Sequence, residues 1–216
     1  MERKESKMKT VKLFCNLVLM LVIMACTAVC FADGEFVRGT LTTVTYDAYV
    51  NPELGIRCVV PDSYVMATEE EIEQIMAAGM DMIFKEDETG KQILDVSKIT
   101  LLYEMMAVNN TNGSSITVIA EKPILSNMTL KQYIDANVSQ ISSLPMEISE
   151  PESGKEEFCG KELNYLTYSM NYQGVDVTQK MFFMESGDRF VIVQLSALDT
   201  DTINTMKGFF SEYHGE

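Results

Sequence analysis

The chain offers one histidine, His214, two positions from the end of its 216 residues. Terminal residues fray, so nothing holds an imidazole there in place to act as a base or a ligand. Ser-His-Asp and Cys-His catalysis and the His-based zinc sites all need an imidazole oriented by a second group, and they are excluded on that count. Carboxylates are plentiful instead, with 32 Asp and Glu against 17 Lys and Arg. Three acidic runs are dense enough to weigh as metal sites: Glu69-Glu70-Glu71, Glu86-Asp87-Glu88-Thr89-Gly90 and Asp199-Thr200-Asp201. The Glu triplet opens a helix, where negative charge complements the N-terminal dipole. The other two do not fit the D-x-[DN]-x-[DN]-G loop that arranges oxygens around calcium, and they read as a charged loop and a helix cap. No spacing singles out two acids for general acid-base work, and the sequence has no Gly-rich phosphate loop. The expectation is a protein that is not an enzyme, with no catalytic, cofactor-binding or metal-ligating residue and no cofactor.

Other polar and sulfur-bearing positions have structural readings. Asn109, Asn112, Asn127 and Asn137 each begin an Asn-x-Ser/Thr triplet and are taken as turn and cap chemistry. Cys58 alternates with Ile56 and Val60 in a strand-like run, while Cys159 precedes Gly160 at a hairpin turn. An exported compartment permits a bridge between them, but these contexts predict two unpaired thiols, the first a small buried hydrophobe. Methionine is abundant, and most of it falls on faces that need burying; Met80 and Met82 straddle such a face and are the candidates for exposure.

The elements that position these residues begin after a leader. Arg3, Lys4, Lys7, Lys9 and Lys12 precede an uncharged run from Leu13 to Ala32 broken only by Asn16 and Thr27. That is the basic and apolar pattern of a secretory signal, and residues 1–32 are read as a signal peptide or membrane anchor. Cys30 and Ala32 are small residues suited to cleavage before Asp33. Ile23-Met24-Ala25-Cys26 resembles a lipoprotein box in which Cys26 would carry lipid. An uncleaved anchor is the third outcome, because about twenty apolar residues span a bilayer core. In all three cases the rest of the chain faces outward, either secreted or tethered to the outer face of the cell membrane.

Removing that leader leaves about 180 residues, enough for one domain with a sizeable core. The net charge of −15 includes all five basic residues of the leader, so the remainder is more acidic still. Such a surface repels phosphate backbones and anionic lipid, so no nucleic-acid partner is expected and the membrane is met only through the leader.

Residues 33–44 are read as a linker and the start of a first strand, and 45–216 as a single domain. Gly39 to Val50 is rich in Thr, Val and Tyr and predicts a strand, Asn51-Pro52-Glu53-Leu54-Gly55 a turn, and Ile56 to Val60 a second strand. Thr68 and Glu71 form a capping box ahead of a helix over 69–84. Strands over 100–108 and 115–121 flank the hairpin signal Asn112-Gly113. A second capping box, Thr129 with Gln132, opens a helix over 129–142. After the turn-rich 145–155, three strands over 163–172, 175–184 and 189–197 form a meander, because their short turns demand antiparallel neighbours. Asp199-Thr200-Asp201 caps a last helix over 201–213, with Ile203, Met206, Phe210 and Tyr213 aligned. The order predicts an α+β domain, an antiparallel sheet flanked by helices.

Several of these residues also carry a resemblance. Tyr49-Val50-Asn51-Pro52-Glu53-Leu54-Gly55-Ile56, Val60-Pro61-Asp62-Ser63-Tyr64 and Ala67-Thr68-Glu69-Glu70-Glu71-Ile72 resemble the start of uncharacterised exported proteins of Gram-positive anaerobes with a PsbP-like fold. Tyr103-Glu104-Met105-Met106-Ala107, Asn112-Gly113-Ser114 and the final meander and helix extend it over residues 45–213. Tyr64 stands where such proteins usually carry Trp. The resemblance implies an α-β-α sandwich around an antiparallel sheet and implies little about activity, since its motifs are turns, caps and core positions. The expected function is a non-enzymatic extracytoplasmic module that binds a protein or small ligand of the cell envelope. An envelope assembly or structural factor and a carboxylate-only hydrolase are the alternatives.

Overall fold

The computed structural model describes residues 36–43, 47–75, 101–123, 127–144, 147–172 and 174–215. The expected leader, the part of the expected helix beyond residue 75 with Met80 and Met82, and the acidic run Glu86–Gly90 lie outside them. None of the helices among the described residues is long and apolar enough to cross a membrane.

The fold is of the α+β class, mostly antiparallel sheet with three helices. Two sheets replace the single sheet expected. The smaller contains β1 (Thr40–Thr43), β2 (Asp47–Asn51), β3 (Ile56–Val59) and β12 (Phe210–Glu212), in the order β1-β2-β3-β12. The larger contains β4 (Tyr64–Met66), β5 (Leu101–Asn109), β6 (Ser115–Glu121), β7 (Glu147–Ile148), β8 (Glu152–Phe158), β9 (Lys161–Tyr172), β10 (Val175–Ser186) and β11 (Arg189–Ala197). Its order is β4-β5-β6-β11-β10-β9, and β7 and β8 both pair with the outer edge of β9.

Helix α1 begins at residue 69 and is described to residue 75. Its capping box is present, with Thr68 N donating to Glu71 Oε2 at 2.8 Å and Glu71 N to Thr68 Oγ1 at 3.3 Å. Helix α2 (Leu130–Ser143) has the reciprocal box between Thr129 and Gln132. Helix α3 (Thr200–Lys207) is capped by Asp199, which accepts from Thr202 N at 2.7 Å.

Four elements depart from expectation. The strand expected over 39–50 is the pair β1 and β2, with Thr43 opposite Asp47; Val44, Thr45 and Tyr46 between them include no Gly, Pro or Asn to signal a reversal. Strand β4 leaves the small sheet after Pro61 and joins the large one beside β5. Strand β8 was expected to be turn. Its exposed edge needs no apolar alternation, so its polar residues hide it. The last helix stops at Gly208, and Phe210 pairs with Cys58 in the small sheet. Burial of Phe210 fits strand and helical spacing alike, and the Gly at the helix end was the signal that decided it.

Core packing places the layers. On one face of the large sheet Val191, Val193 and Leu195 of β11, Phe182 and Met184 of β10, and Ile116 and Val118 of β6 meet Tyr49, Ile56, Cys58 and Phe210 of the small sheet and Ile203 and Met206 of α3. On the other face Ile119, Leu166, Met181, Phe183, Phe190 and Ile192 meet Tyr133, Ile134 and Ile141 of α2. Helix α1 sets Ile72 against Met106 of β5. Glu156 of β8 ties Lys180 of β10 to Lys207 of α3 by two ion pairs.

Candidate functional site

Period-two alternation assigns the odd residues of β11 to the small-sheet side and the even ones to the α2 side. The even series starts apolar, with Phe190 and Ile192, and then turns polar with Gln194 and Ser196. The neighbouring strands make the same change. In cross-strand register, Ser115 of β6 stands opposite Ser196 of β11, Ser196 opposite Gln179 of β10, and Gln179 opposite Tyr168 of β9. Thr117 stands opposite Gln194 in the adjoining row. Four central strands therefore place Ser115, Ser196, Gln179, Tyr168, Thr117 and Gln194 side by side on one face, all of them buried.

Only part of this set is satisfied internally. Gln179 Oε1 accepts from Gln194 Nε2 at 2.6 Å and from Ser196 Oγ at 2.7 Å. Gln179 Nε2, Gln194 Oε1, Ser115 Oγ, Thr117 Oγ1 and the Tyr168 hydroxyl find no hydrogen-bond partner within the chain. Helix α2, packed on the same face, adds one more. Tyr133, Asn137 and Ile141 are spaced four apart and share its sheet-facing side, and all three are buried. Asn137 Nδ2 donates to Tyr133 O at 2.8 Å, while Asn137 Oδ1 is left without a partner. A buried polar atom with no partner costs about 1–3 kcal/mol, so this interior is an expensive arrangement.

The far end of the same face holds a carboxyl. Glu121 closes β6 and accepts a short hydrogen bond from the Tyr133 hydroxyl. The Tyr133 ring stacks on Phe190 with centroids 4.5 Å apart. Burial pushes the Glu121 carboxyl up to about 7, against the opposing pull of the Tyr133 hydrogen bond and the Arg189 charge. Tyr103 is raised too, by burial first and by the charge of Glu121 second.

The second buried acid among the described residues, Glu104, turns to the other face. It accepts from the Tyr49 hydroxyl at 3.0 Å, from Gly39 N at 2.5 Å and from Arg38 Nε at 3.2 Å. Asn51 Nδ2 donates to Val37 O at 3.2 Å, so residues 37–39 lie strapped to the domain. Because Glu104 and Glu121 point to opposite faces of one sheet, they do not converge as an acid-base pair.

The positions weighed in the sequence fall as follows. Asp199 and the Glu69–Glu71 run serve helix starts, and the Asp199 carboxyl is lowered by the backbone hydrogen bond from Thr202. Among the described residues no group of three or more His, Cys, Asp or Glu could hold a metal. His214 is exposed, 3.1 Å from Glu212. Asn109 and Asn112 are turn residues, with Asn109 Oδ1 accepting from Thr111 N at 2.8 Å and Asn112 Oδ1 from Ser114 N at 3.0 Å. Asn137, expected to be turn or cap chemistry, is instead interior. Cys58 and Cys159 are both free thiols. Burial raises each of them, Cys159 to about 12 with Lys161 opposing and Glu212 adding.

Sequence alone did not reveal the polar row. In β6 the apolar series Ile116, Val118, Ala120 marks one inner face, and Ser115 and Thr117 between them read as solvent-facing. Only the central place of β6, β11 and β10 in the sheet makes both faces interior.

No protein-family model matches the chain, and no curated protein matches it. Among solved structures it is similar to LpqN, described as involved in cell envelope biogenesis of Mycobacterium tuberculosis, with 12% identity, a TM-score of 0.42, and coverage of 83% of this chain and 93% of that one.

Proposed function

We propose that this protein is a non-enzymatic binding module that works outside the cytoplasm, secreted or held at the outer face of the cell membrane by its leader. The same proposal takes its layers as a PsbP-like sandwich, the fold of the exported proteins it resembles. One observation carries the binding reading: polar atoms without partners in the chain, buried across four central strands and, at Asn137, in the covering helix α2. A chain selected for stability alone would fill these positions with Val, Ile or Leu, as it does on the opposite face. Polar interiors that lower stability are retained where function uses them.

A carboxylate-only hydrolase is the competing reading, because a carboxyl poised near 7 suits a general acid or base. The opposed directions of Glu104 and Glu121 favour binding over hydrolysis, since two acids with separated pKa values must converge on one substrate. A net charge of −15 argues against nucleic acid as the partner.

Native mass spectrometry of the full chain, purified in detergent from its own envelope, tests the proposal. The expected result is a bound small molecule that is lost in the Gln179→Leu/Gln194→Leu variant. An unliganded mass, together with turnover of ester, peptide or glycoside substrates that Glu121→Gln abolishes, replaces binding by hydrolysis. The same measurement reads the N-terminus. Asp33 as first residue is the expected form, with lipid on Cys26 or an intact anchor as the other exported forms. Recovery of the chain from the cytoplasm overturns the location.

A further inference from the structure

We infer that the chain's own residues 36–39 occupy a peptide cleft at the seam between the two sheets, and that a partner's segment of the pattern aromatic-x-Arg-Gly displaces them. The cleft lies on the small-sheet side of the large sheet, away from the polar row, so it is a second site independent of the binding reading above.

Four consecutive residues are each read by a different group. Phe36 packs against the core shared by the two sheets, its ring centroid 5.5 Å from the Arg189 guanidinium. The Val37 carbonyl accepts from Asn51 Nδ2 at 3.2 Å. Arg38 Nε donates to Glu104 Oε1 and Gly39 N to Glu104 Oε2. At Gly39 a Cβ would overlap the Tyr49 ring, so the last position takes glycine alone. Main-chain hydrogen bonds that hold a segment, with side-chain contacts that select it, are the means by which peptides are recognised. The receiving groups are tied together without the strap. Asn51 Nδ2 donates to the Tyr49 hydroxyl at 3.3 Å, that hydroxyl donates to Glu104 Oε2 at 3.0 Å, and Asn51 Oδ1 accepts from Leu54 N at 3.0 Å.

The strap is held more loosely than the cleft that holds it. Residues 36–39 belong to no strand, so no ladder secures them, and Phe36 alone among them packs against the core. The Arg38 side chain is 55% exposed, while the Glu104 side chain it meets is fully buried. A segment with few buried contacts opens locally while the interior stays folded. Once vacated, the Glu104 carboxylate keeps the Tyr49 hydroxyl and loses its other two donors. A buried carboxylate in that state favours a segment that returns both a main-chain N–H and a guanidinium. A net charge of −15 also draws a cationic segment toward the protein. A segment without Arg sets no charge against Glu104.

Because the strap is tethered, it competes at high effective concentration, and a free peptide binds more weakly by the fraction of molecules that are open. The experiment therefore loosens the strap and leaves the cleft intact. It uses the full chain in detergent and the peptide Phe-Val-Arg-Gly-Thr with a fluorescent label at its C-terminus, read by anisotropy. Gly39→Ala sets a methyl group against the Tyr49 ring, and Arg38→Glu sets like charge against Glu104; neither alters Tyr49, Asn51, Glu104 or Arg189. Both variants should bind the peptide at least about 10-fold more tightly than the unaltered chain. Replacing the peptide's Gly by Ala or its Arg by Gln should abolish that gain. The scrambled peptide Gly-Val-Thr-Phe-Arg carries the same charge, and equal binding of it reduces the effect to charge attraction and overturns the inference. Folded variants with no gain overturn it as well. Hydrogen exchange in the unaltered chain gives a readout that needs no variant: excess unlabelled Phe-Val-Arg-Gly-Thr should accelerate exchange at the Gly39 amide, and exchange unchanged by the peptide defeats the displacement.

Discussion

The two faces of the large sheet come from the same strands and reach opposite solutions. Toward the small sheet, β6, β10 and β11 present Val, Ile, Leu, Met and Phe, and the contacts include Phe158 stacked on Phe182 at 4.2 Å between centroids. The carboxylate on that side, Glu104, has donors for both oxygens. Toward α2 the strands begin equally apolar and then place Ser, Thr, Gln and Tyr in the interior with atoms unpaired. Burial is the same on both sides, so exposure does not explain the difference. One face is built for stability, and the other gives some up.

The largest effect that would break this comparison comes from the apolar face. Phe182 is fully buried between Phe158 and the α3 side of the core. Phe182→Ala removes its burial and leaves a cavity, with an expected loss of about 3–5 kcal/mol in urea unfolding. A loss below about 1 kcal/mol would mean that this face is no better packed than the polar one.

The next effect tests the carboxyl at the end of the polar face. Glu121 has its folded pKa raised to about 7, above the ordinary carboxylate value, so the folded state binds a proton more tightly than the unfolded state. Its contribution is fully present below the unfolded pKa, near 4.5, and is lost as pH rises through 7. The upper bound on that change is about 3 kcal/mol. Glu121→Gln mimics the protonated form and keeps a partner for the Tyr133 hydroxyl. The difference between the two proteins, followed by urea unfolding from pH 4 to 8, should grow with pH in favour of the amide. A flat difference contradicts the raised pKa.

Glu104→Gln provides the matched test on the other face. Gly39 N and the Tyr49 hydroxyl donate to Oε2 and Arg38 Nε to Oε1, so the amide nitrogen would confront a donor in either orientation. A loss of about 2 kcal/mol is expected, with faster proteolysis at residues 36–39 as the local readout. No change in either would show that the strap is not held by this carboxyl.

These contrasts were visible in the sequence to different depths. Local chemistry was readable: the boxes Thr68 with Glu71 and Thr129 with Gln132, the Asp199 cap, and the Cys159-Gly160 turn, where φ values of 53° and 69° match a two-residue hairpin. The meander was readable because Gly174 and Gly187-Asp188 separate β9, β10 and β11. Long-range pairing was not. Nothing local sends Phe210 to Cys58, or separates β4 from β3 into different sheets. The polar row depends on that missing information, since Ser115 and Thr117 are surface residues on an edge strand and core residues on a central one.

The smallest expected effect is also the one that most sharpens the comparison, because its sign is unusual. Ser115→Ala and Thr117→Val each remove a hydroxyl that is buried without a partner and leave the rest of the side chain in place. On the apolar face every truncation loses stability. Here removal of an unsatisfied group recovers its desolvation cost, and the lost atoms are few. The double variant, free of ligand, should therefore gain about 1 kcal/mol, or roughly 2–4 °C in Tm for a domain of this size. Calorimetry of protein refolded from denaturant, which strips any bound molecule, measures it cleanly. A gain confirms that the folded chain alone leaves these hydroxyls unsatisfied. A loss of similar size would mean that buried water already pairs them, and the two faces would then differ in polarity but not in how well they are satisfied.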